Sequence, residues 1–273
     1  MSDWLDAPVP PYRIGPMGWL RVVWRGGLVG SLTYGGLIVL LLVRLVEWPL
    51  FGAARPVTPW ITQSVCRGAL WLMGLRLTVH GRPMEVEGAI VANHSSWLDI
   101  FALNAADRVY FVAKSEVAAW PGIGWLARAT GTLFIARKGT EAKKQQALFE
   151  DRLIAGHRLL FFPEGTSTDA IRVLPFKSTL FAAFFSPALV RRMHVQPVTV
   201  VFHAPEGQDA RFYGWWGDMD FASHLVKTLA ARRQGRVEVT FHPEVPVDAF
   251  DDRKMLAQHC ERVIRTAHVN AVA

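Results

Sequence analysis

The segment Asn93-His94-Ser95-Ser96-Trp97-Leu98-Asp99 sets an imidazole and a carboxylate five residues apart. It follows an apolar run, Ala89 to Ala92, that reads as a buried strand, and Leu98, Ile100 and Phe101 open a helix. A histidine leaving the carboxyl end of a strand stands where α/β sheets place their chemistry. An aspartate one helical turn further on can fold back on the ring. It would fix the tautomer and leave the other nitrogen free to take a proton. The bland alternative is a core histidine satisfied by a helix-capping aspartate.

Two further segments have the same setting. In Phe161-Phe162-Pro163-Glu164-Gly165-Thr166-Ser167 a strand ends, Pro163 blocks the ladder and Gly165 permits a sharp turn. Glu164, Thr166 and Ser167 are left beside free backbone amides, which suits a polar ligand head. In Gly131-Thr132-Leu133-Phe134-Ile135-Ala136-Arg137 an arginine closes an apolar strand, where it can reach an anionic group. Taken singly, these read equally well as a salt-bridged turn and a surface arginine.

The elements that must hold these residues follow from hydrophobic patterning. Expected strands are Arg76–His80, Ala89–Asn93, Val109–Ala113, Leu133–Ala136, Arg158–Phe162, Val195–Phe202 and Val237–Phe241. Expected helices are Leu98–Ala105, Thr140–Ala155, Phe176–Phe185, Phe221–Ala231 and Asp252–Ala267. Pro205–Gly217 reads as a loop with room for an extra hairpin. Alternation of this kind predicts an α/β fold with a largely parallel central sheet flanked by helices.

The 273 residues are 51% apolar and only 19% charged, and the mean hydropathy is +0.19. One substantial domain with an added apolar element fits. Cys66 and Cys260 share no short spacing, which argues against a disulfide framework or zinc site and suits a reducing compartment. Net charge is +7, and residues 1–76 hold seven arginines against three acidic residues. The basic residues flank an apolar stretch instead of clustering, which favours an anionic membrane surface over nucleic acid. The stretch Gly26–Val43 carries no charge. As a helix it would run roughly 27 Å against a hydrocarbon core of about 30 Å. Its glycines, Ser31 and Thr33 make it a borderline transmembrane span. Six of the eleven tryptophans lie in the first 71 residues, as interfacial anchoring favours. Two helices in one leaflet, hinged near Trp48-Pro49, explain the pattern as well as one spanning helix. A cleaved signal peptide fits poorly, because the apolar run starts late and no small-residue cleavage site follows it. Residues 1–75 are therefore read as membrane-associating helices and 76–273 as the α/β domain.

In this order, each at a strand end, the segments resemble the blocks of the glycerolipid acyltransferase family. Asn93 to Asp99 is similar to its Asn-His-x4-Asp block. Gly131, Phe134 and Arg137 match Gly-x-x-Phe-x-x-Arg, and Phe162 to Thr166 match Phe-Pro-Glu-Gly-Thr. Val195-Gln196-Pro197-Val198 resembles its proline-bearing β run, and Lys114 to Gly124 its connection between the first two blocks. The resemblance covers about residues 75–205. It implies that His94 is the general base for a lysolipid hydroxyl and that Asp99 orients it. The hydroxyl oxygen would attack the thioester of acyl-CoA or acyl-carrier protein directly, with no metal or organic cofactor. Arg137, Glu164, Gly165 and Thr166 would bind the acceptor headgroup. Ala118–Leu126, with Trp120 and Trp125, would line an acyl-chain groove. The partners implied are a membrane lipid, the acyl donor and a bilayer surface, at a bacterial inner membrane with catalysis on the cytoplasmic side.

One departure bears on the acceptor. Lysophosphatidate enzymes of the family often carry arginine after Glu-Gly-Thr, whereas here the order is Thr166-Ser167-Thr168-Asp169. With Val173 to Ser178 and Trp120 to Trp125, this looks more like the lyso-ornithine lipid O-acyltransferase branch. Arg137 would then serve the ornithine carboxylate and Asp169 its ammonium. Lysophosphatidate remains the alternative acceptor. Rival classes are a serine hydrolase, although no Gly-x-Ser-x-Gly elbow occurs, and a non-catalytic lipid-binding protein.

Overall fold

A computed structural model describes residues 4–5, 8, 12–135 and 142–272, with the side chains of 142–146 left aside. The helices are α1 (Pro16–Phe51), α2 (Thr58–Met73), α3 (Leu98–Ala106), α4 (Ile123–Ala129), α5 (Ala142–Ile154), α6 (Phe221–Ala230) and α7 (Arg253–Val272). The strands are β1 (Arg76–His80), β2 (Gly88–Ala92), β3 (Tyr110–Lys114), β4 (Leu133–Ile135), β5 (Leu159–Phe161), β6 (His194–His203), β7 (Arg236–Phe241) and β8 (Val245–Pro246).

Among the described residues they form one sheet in the order β1-β7-β6-β2-β5-β3-β4, with β8 beside β6. The β1–β7, β6–β2, β2–β5, β5–β3 and β3–β4 pairings are parallel, and β6 runs antiparallel to β7 and β8. The fold is thus the expected largely parallel α/β sheet with helices on both faces. β2 sits at its centre and is buried throughout. Its side chains alternate as a pleated strand requires. Ile90 and Ala92 join a core with α2, α3 and α6, while Ala89 and Val91 join one with α5 and α7.

Three local expectations are corrected. The chain does not hinge at Pro49: α1 continues through it to Phe51 and ends at Gly52. Pro49 has no N–H to give to the Leu45 carbonyl, and the helix runs only two residues beyond it. The reversal comes after Gly52, and buried Glu47 fixes it by accepting from Val57 N, Thr58 N and Thr58 Oγ1. The helix expected over Phe176–Phe185 is only a 3-10 turn, Leu180–Phe185. Phe176 N donates to the Glu261 carboxylate and Lys177 N to the Pro163 carbonyl, bonds that lay this stretch against α7 and the Glu164 turn. Pro205–Gly217 forms no hairpin among the described residues, and it packs instead onto the loop after β5. The connection over Lys114–Gly124 holds a 3-10 turn, Ser115–Ala119, and the start of α4.

At 36 residues, α1 is about 54 Å long. It is long and apolar enough to cross a membrane, yet it touches the domain along its length. Arg21 and Arg25 donate to carbonyls at the end of α6. Leu40 is buried near its middle, and Glu47 closes the turn to α2. At Gly36 an added Cβ would lie 2.4 Å from Val65, and at Gly68 2.8 Å from Leu32. The glycines thus serve the close approach of α1 to α2.

Candidate active site

β2 delivers His94 at its carboxyl end, and its parallel neighbour β5 delivers Glu164 at the same edge. Asn93 explains how the chain leaves β2. Its side-chain amide donates to Val200 O and accepts from Val200 N, both at 2.8 Å. It thereby prolongs the β2–β6 ladder by one residue while the backbone turns away. This clamp spans 107 positions, and nothing in local patterning announces it.

His94 Nδ1 lies 2.7 Å from Asp99 Oδ2. The same oxygen accepts from Ser95 N at 2.8 Å and Ser96 N at 3.1 Å. It is an acceptor three times over, so Nδ1 carries the proton and Nε2 is left as a free base. Asp99 is fully buried, whereas the His94 side chain keeps 20% of its surface exposed. Phe162 stacks under the ring, 4.0 Å between centroids and 11° between planes, and fixes its orientation. The arrangement can take a proton at one exposed nitrogen and stabilise the imidazolium from behind.

Glu164 sits beneath this pair and is 2% exposed. Its Oε1 accepts from His94 N and its Oε2 from Leu174 N, both at 2.6 Å. Burial pushes its carboxyl up to about 8, against the pull of these two donors. Both oxygens are spent on backbone, so the side chain ties the His94 loop to the segment after the turn. Gly165 makes that turn at φ +75°, and Thr166 is exposed beside it. Arg137 lies outside the described residues.

The loop after the turn is anchored as firmly. Thr168 donates to His94 O from its N–H at 3.0 Å and its hydroxyl at 3.2 Å. Trp215 N is shared between Ser95 O and Thr168 O, and Ser167 Oγ donates to Trp215 O. The Pro205–Gly217 loop therefore locks both motif loops together, a role that sequence reasoning missed. Trp120 meets Trp215 edge-on at 6.1 Å, which brings the Ala118–Leu126 segment against the same cluster.

Asp169 does not stand open for an ammonium. It is 1% exposed and bound by Arg172, with Nε 2.9 Å from both oxygens. Among the described residues, Lys177 is a cation lying against the turn. Its Nζ lies 2.9 Å from where a Cβ on Gly165 would sit, and no described carboxylate pairs with it. The serines do not form a hydrolase site either. Ser95 and Ser96 are fully buried, and Ser167 gives its proton to Trp215.

The acyltransferase family profile matches residues 76–201. A lyso-ornithine lipid O-acyltransferase from Rhodobacter capsulatus is 57% identical over 96% of this chain and 96% of its own length. The chain belongs to the acyltransferase family. A second relative, a lyso-ornithine lipid O-acyltransferase from Brucella abortus, is 39% identical over 71% of this chain and 76% of that protein. The crystal structure of the 1-acyl-sn-glycerophosphate acyltransferase PlsC from Thermotoga maritima superposes with a TM-score of 0.64 at 19% identity, covering 94% and 96% of the two chains. This acyltransferase thus shares the PlsC fold over nearly its whole length.

Proposed function

We propose that this enzyme moves a fatty acyl group from an acyl thioester to the free hydroxyl of lyso-ornithine lipid, giving ornithine lipid. The observation that carries the chemistry is the partly exposed His94 Nε2 backed by fully buried Asp99. Nε2 takes the hydroxyl proton as the oxygen attacks the thioester carbonyl. The tetrahedral intermediate collapses, the C–S bond breaks, and the imidazolium returns the proton to the departing thiolate. Every proton is accounted for without an acyl-enzyme, a metal or an organic cofactor. A positioned base of this kind contributes ~10²–10⁴-fold, so alignment of the two substrates supplies much of the remaining rate.

Support for the acceptor comes from the 57% identical relative and from the cations around the turn. Arg172 is neutralised by Asp169, which leaves the Lys177 ammonium over Gly165 to meet the ornithine carboxylate. Arg137 joins it in this reading on the strength of the family motif. Glu164 then acts as a positioning residue, and Gly165 and Thr166 form the wall against the headgroup. The donor is acyl-CoA or acyl-carrier protein.

We infer that residues 1–75 hold the enzyme on the membrane while 76–273 carry catalysis. Contacts from Gly18 to Glu47 keep α1 along the domain. Its outward side chains, with Val23 and Leu45 each 72% exposed and Trp71 of α2 79% exposed, then enter one leaflet. The catalytic face is assigned to the cytoplasmic side of a bacterial inner membrane.

The deciding assay offers lyso-ornithine lipid and lysophosphatidate side by side with a labelled acyl donor. Faster acylation of lyso-ornithine lipid is expected. Acylation of lysophosphatidate alone would reject the acceptor. Undiminished acylation by the His94→Ala enzyme would reject catalysis by this site and leave a lipid-binding protein.

A further inference from the structure

The sheet edge opposite His94 holds a second polar concavity. There the chain entering β3 and β5 meets the α1–α2 turn around an open cleft of about 350 Å3, lined by Arg55, Arg108, His157 and Arg158 among others. Arg152 of α5 reaches the same place, donating to His157 Nδ1 at 2.5 Å and to Gly131 O at 3.0 Å. Arg44 stands behind Arg55 and bonds Glu47. The carboxylates here are Glu47 and Asp107, the latter held by Arg158 at 2.6 Å. Among the described residues, five arginines thus face two acids.

That balance is a strained one. Burial, then the charge of Arg44, holds Arg55 below its ordinary value, and burial does the same to Arg152. Burial and Arg152 push His157 down to about 4, so its ring adds no charge at neutral pH. Arg108 is the free member. Its guanidinium lies 3.7 Å over the Trp60 ring, and no described residue accepts a hydrogen bond from it. Stacking holds a planar five-donor fork at the cleft without using its donors, the geometry that suits phosphate oxygens. Beside the cleft, Trp48, Phe51, Val57 and Trp60 expose about half or more of their surface. An anion seated among the arginines would thus have apolar side chains next to it.

We propose that this cleft is a non-catalytic site for the phosphodiester of an anionic phospholipid, whose acyl chains lie along the exposed end of the α1–α2 hairpin. It is separate from the reacting site. The five-residue β3 alone puts roughly 16 Å between the two sheet edges. The site docks the α1–α2 turn on an anionic leaflet and so complements the membrane-surface reading, on which it rests.

The test compares binding of the full-length enzyme to phosphatidylcholine vesicles with and without phosphatidylglycerol. Wild-type protein should prefer the anionic vesicles. Arg108→Ala should weaken binding to them about fivefold and leave binding to neutral vesicles unchanged, as one membrane-facing arginine warrants. Arg253→Ala removes an exposed charge from α7, on the other face of the sheet, and should change neither. Equal losses in the two variants would make the effect one of net charge and overturn the site. Undiminished preference in Arg108→Ala would overturn it as well, with the membrane reading intact. Failure of wild-type protein to bind either vesicle would sink the membrane reading, and the site with it. A second arm titrates inorganic phosphate without vesicles against chloride at matched ionic strength. A phosphate-specific rise in melting temperature that Arg108→Ala abolishes, with vesicle preference unaltered, would assign the cleft to free phosphate and refute the lipid.

Discussion

Replacing Asp99 by asparagine separates the charge of the catalytic pair from its geometry. All three hydrogen bonds to Asp99 converge on Oδ2, from His94 Nδ1, Ser95 N and Ser96 N. Oδ1 is buried without a partner. An asparagine with its oxygen in the Oδ2 place therefore keeps every bond and holds the same imidazole tautomer. The opposite flip would turn an NH2 group toward two backbone N–H donors, each a buried unsatisfied group costing ~1–3 kcal/mol. The backbone thus selects the productive orientation. What is lost is charge assistance: a bond to a charged acceptor is worth ~1.5–3 kcal/mol and a neutral one ~0.5–1.5. The difference of about 1–2 kcal/mol corresponds to a fall in kcat of roughly 5–30-fold. Asp99→Ala strips the acceptor from both amides and should lose activity to the ~10²–10⁴-fold extent expected for His94→Ala. The assay is thiol release from acyl-CoA with lyso-ornithine lipid in mixed micelles, with melting temperature read in parallel. If Asp99→Asn is as inactive as His94→Ala while melting like the wild type, the amides do not pin the asparagine and the argument fails. If it is fully active, the carboxylate charge plays no part in the proton transfer.

Three other expectations follow from neighbouring contacts. Lys177→Ala should raise the acceptor KM about tenfold with little change in kcat, a charged but solvent-screened contact; an unchanged KM would remove Lys177 from the headgroup site. Glu164 holds a proton up to about 8 in the folded enzyme against 4.5 ordinarily. Folded protein therefore binds more protons than unfolded between those values, and stability should fall as pH rises through that window. Glu164→Gln should flatten this slope in denaturant titrations from about pH 5 to about pH 9, and parallel slopes would contradict it. An added Cβ at Gly214 would lie 2.5 Å from the Asp169 carbonyl carbon, whereas at Gly30 nothing lies within 4 Å. Gly214→Ala should cost ~1–3 kcal/mol and lower kcat by moving the Thr168 loop, while Gly30→Ala should be neutral or slightly stabilising.

The strands around the site were legible because each is a short apolar run ended by turn chemistry, as at Ala92-Asn93 and Phe162-Pro163. Local spacing also made the His94–Asp99 approach foreseeable, since only five residues, little more than one helical turn, connect them. What stayed hidden depends on partners far along the chain. Asn93 looks like a motif residue at the site, yet its amide is consumed by Val200. Glu164 looks like a headgroup ligand until both oxygens are found on backbone donors, one of them 70 positions away. Phe176 reads as helical because Phe181 and Phe184 carry a helix-like spacing, but its N–H is held by Glu261, 85 positions away, and only a 3-10 turn forms beyond it.

The N-terminal arginines have a structural use that composition does not show until their acceptors are placed. Read along the chain, they flank an apolar stretch and suggest attraction to anionic lipid. In the fold, Arg21 and Arg25 bond the final carbonyls of α6, Arg55 that of Ala129 in α4, and Arg67 that of Ala105 in α3. Each guanidinium meets the negative end of a helix dipole and satisfies carbonyls that have no partner within their own helix. Four of the seven positive charges in the first 76 residues are therefore committed to joining α1 and α2 to the helices over the sheet. α2 also contributes Cys66, Ala69, Leu70 and Met73 to the core that covers β2. The apolar hairpin is thus built into the scaffold that positions His94. If the hairpin lies in a leaflet as proposed, any tilt of α1 would be transmitted to the catalytic edge through these carbonyl contacts, and the depth of the hairpin would set the height at which the base meets its lipid.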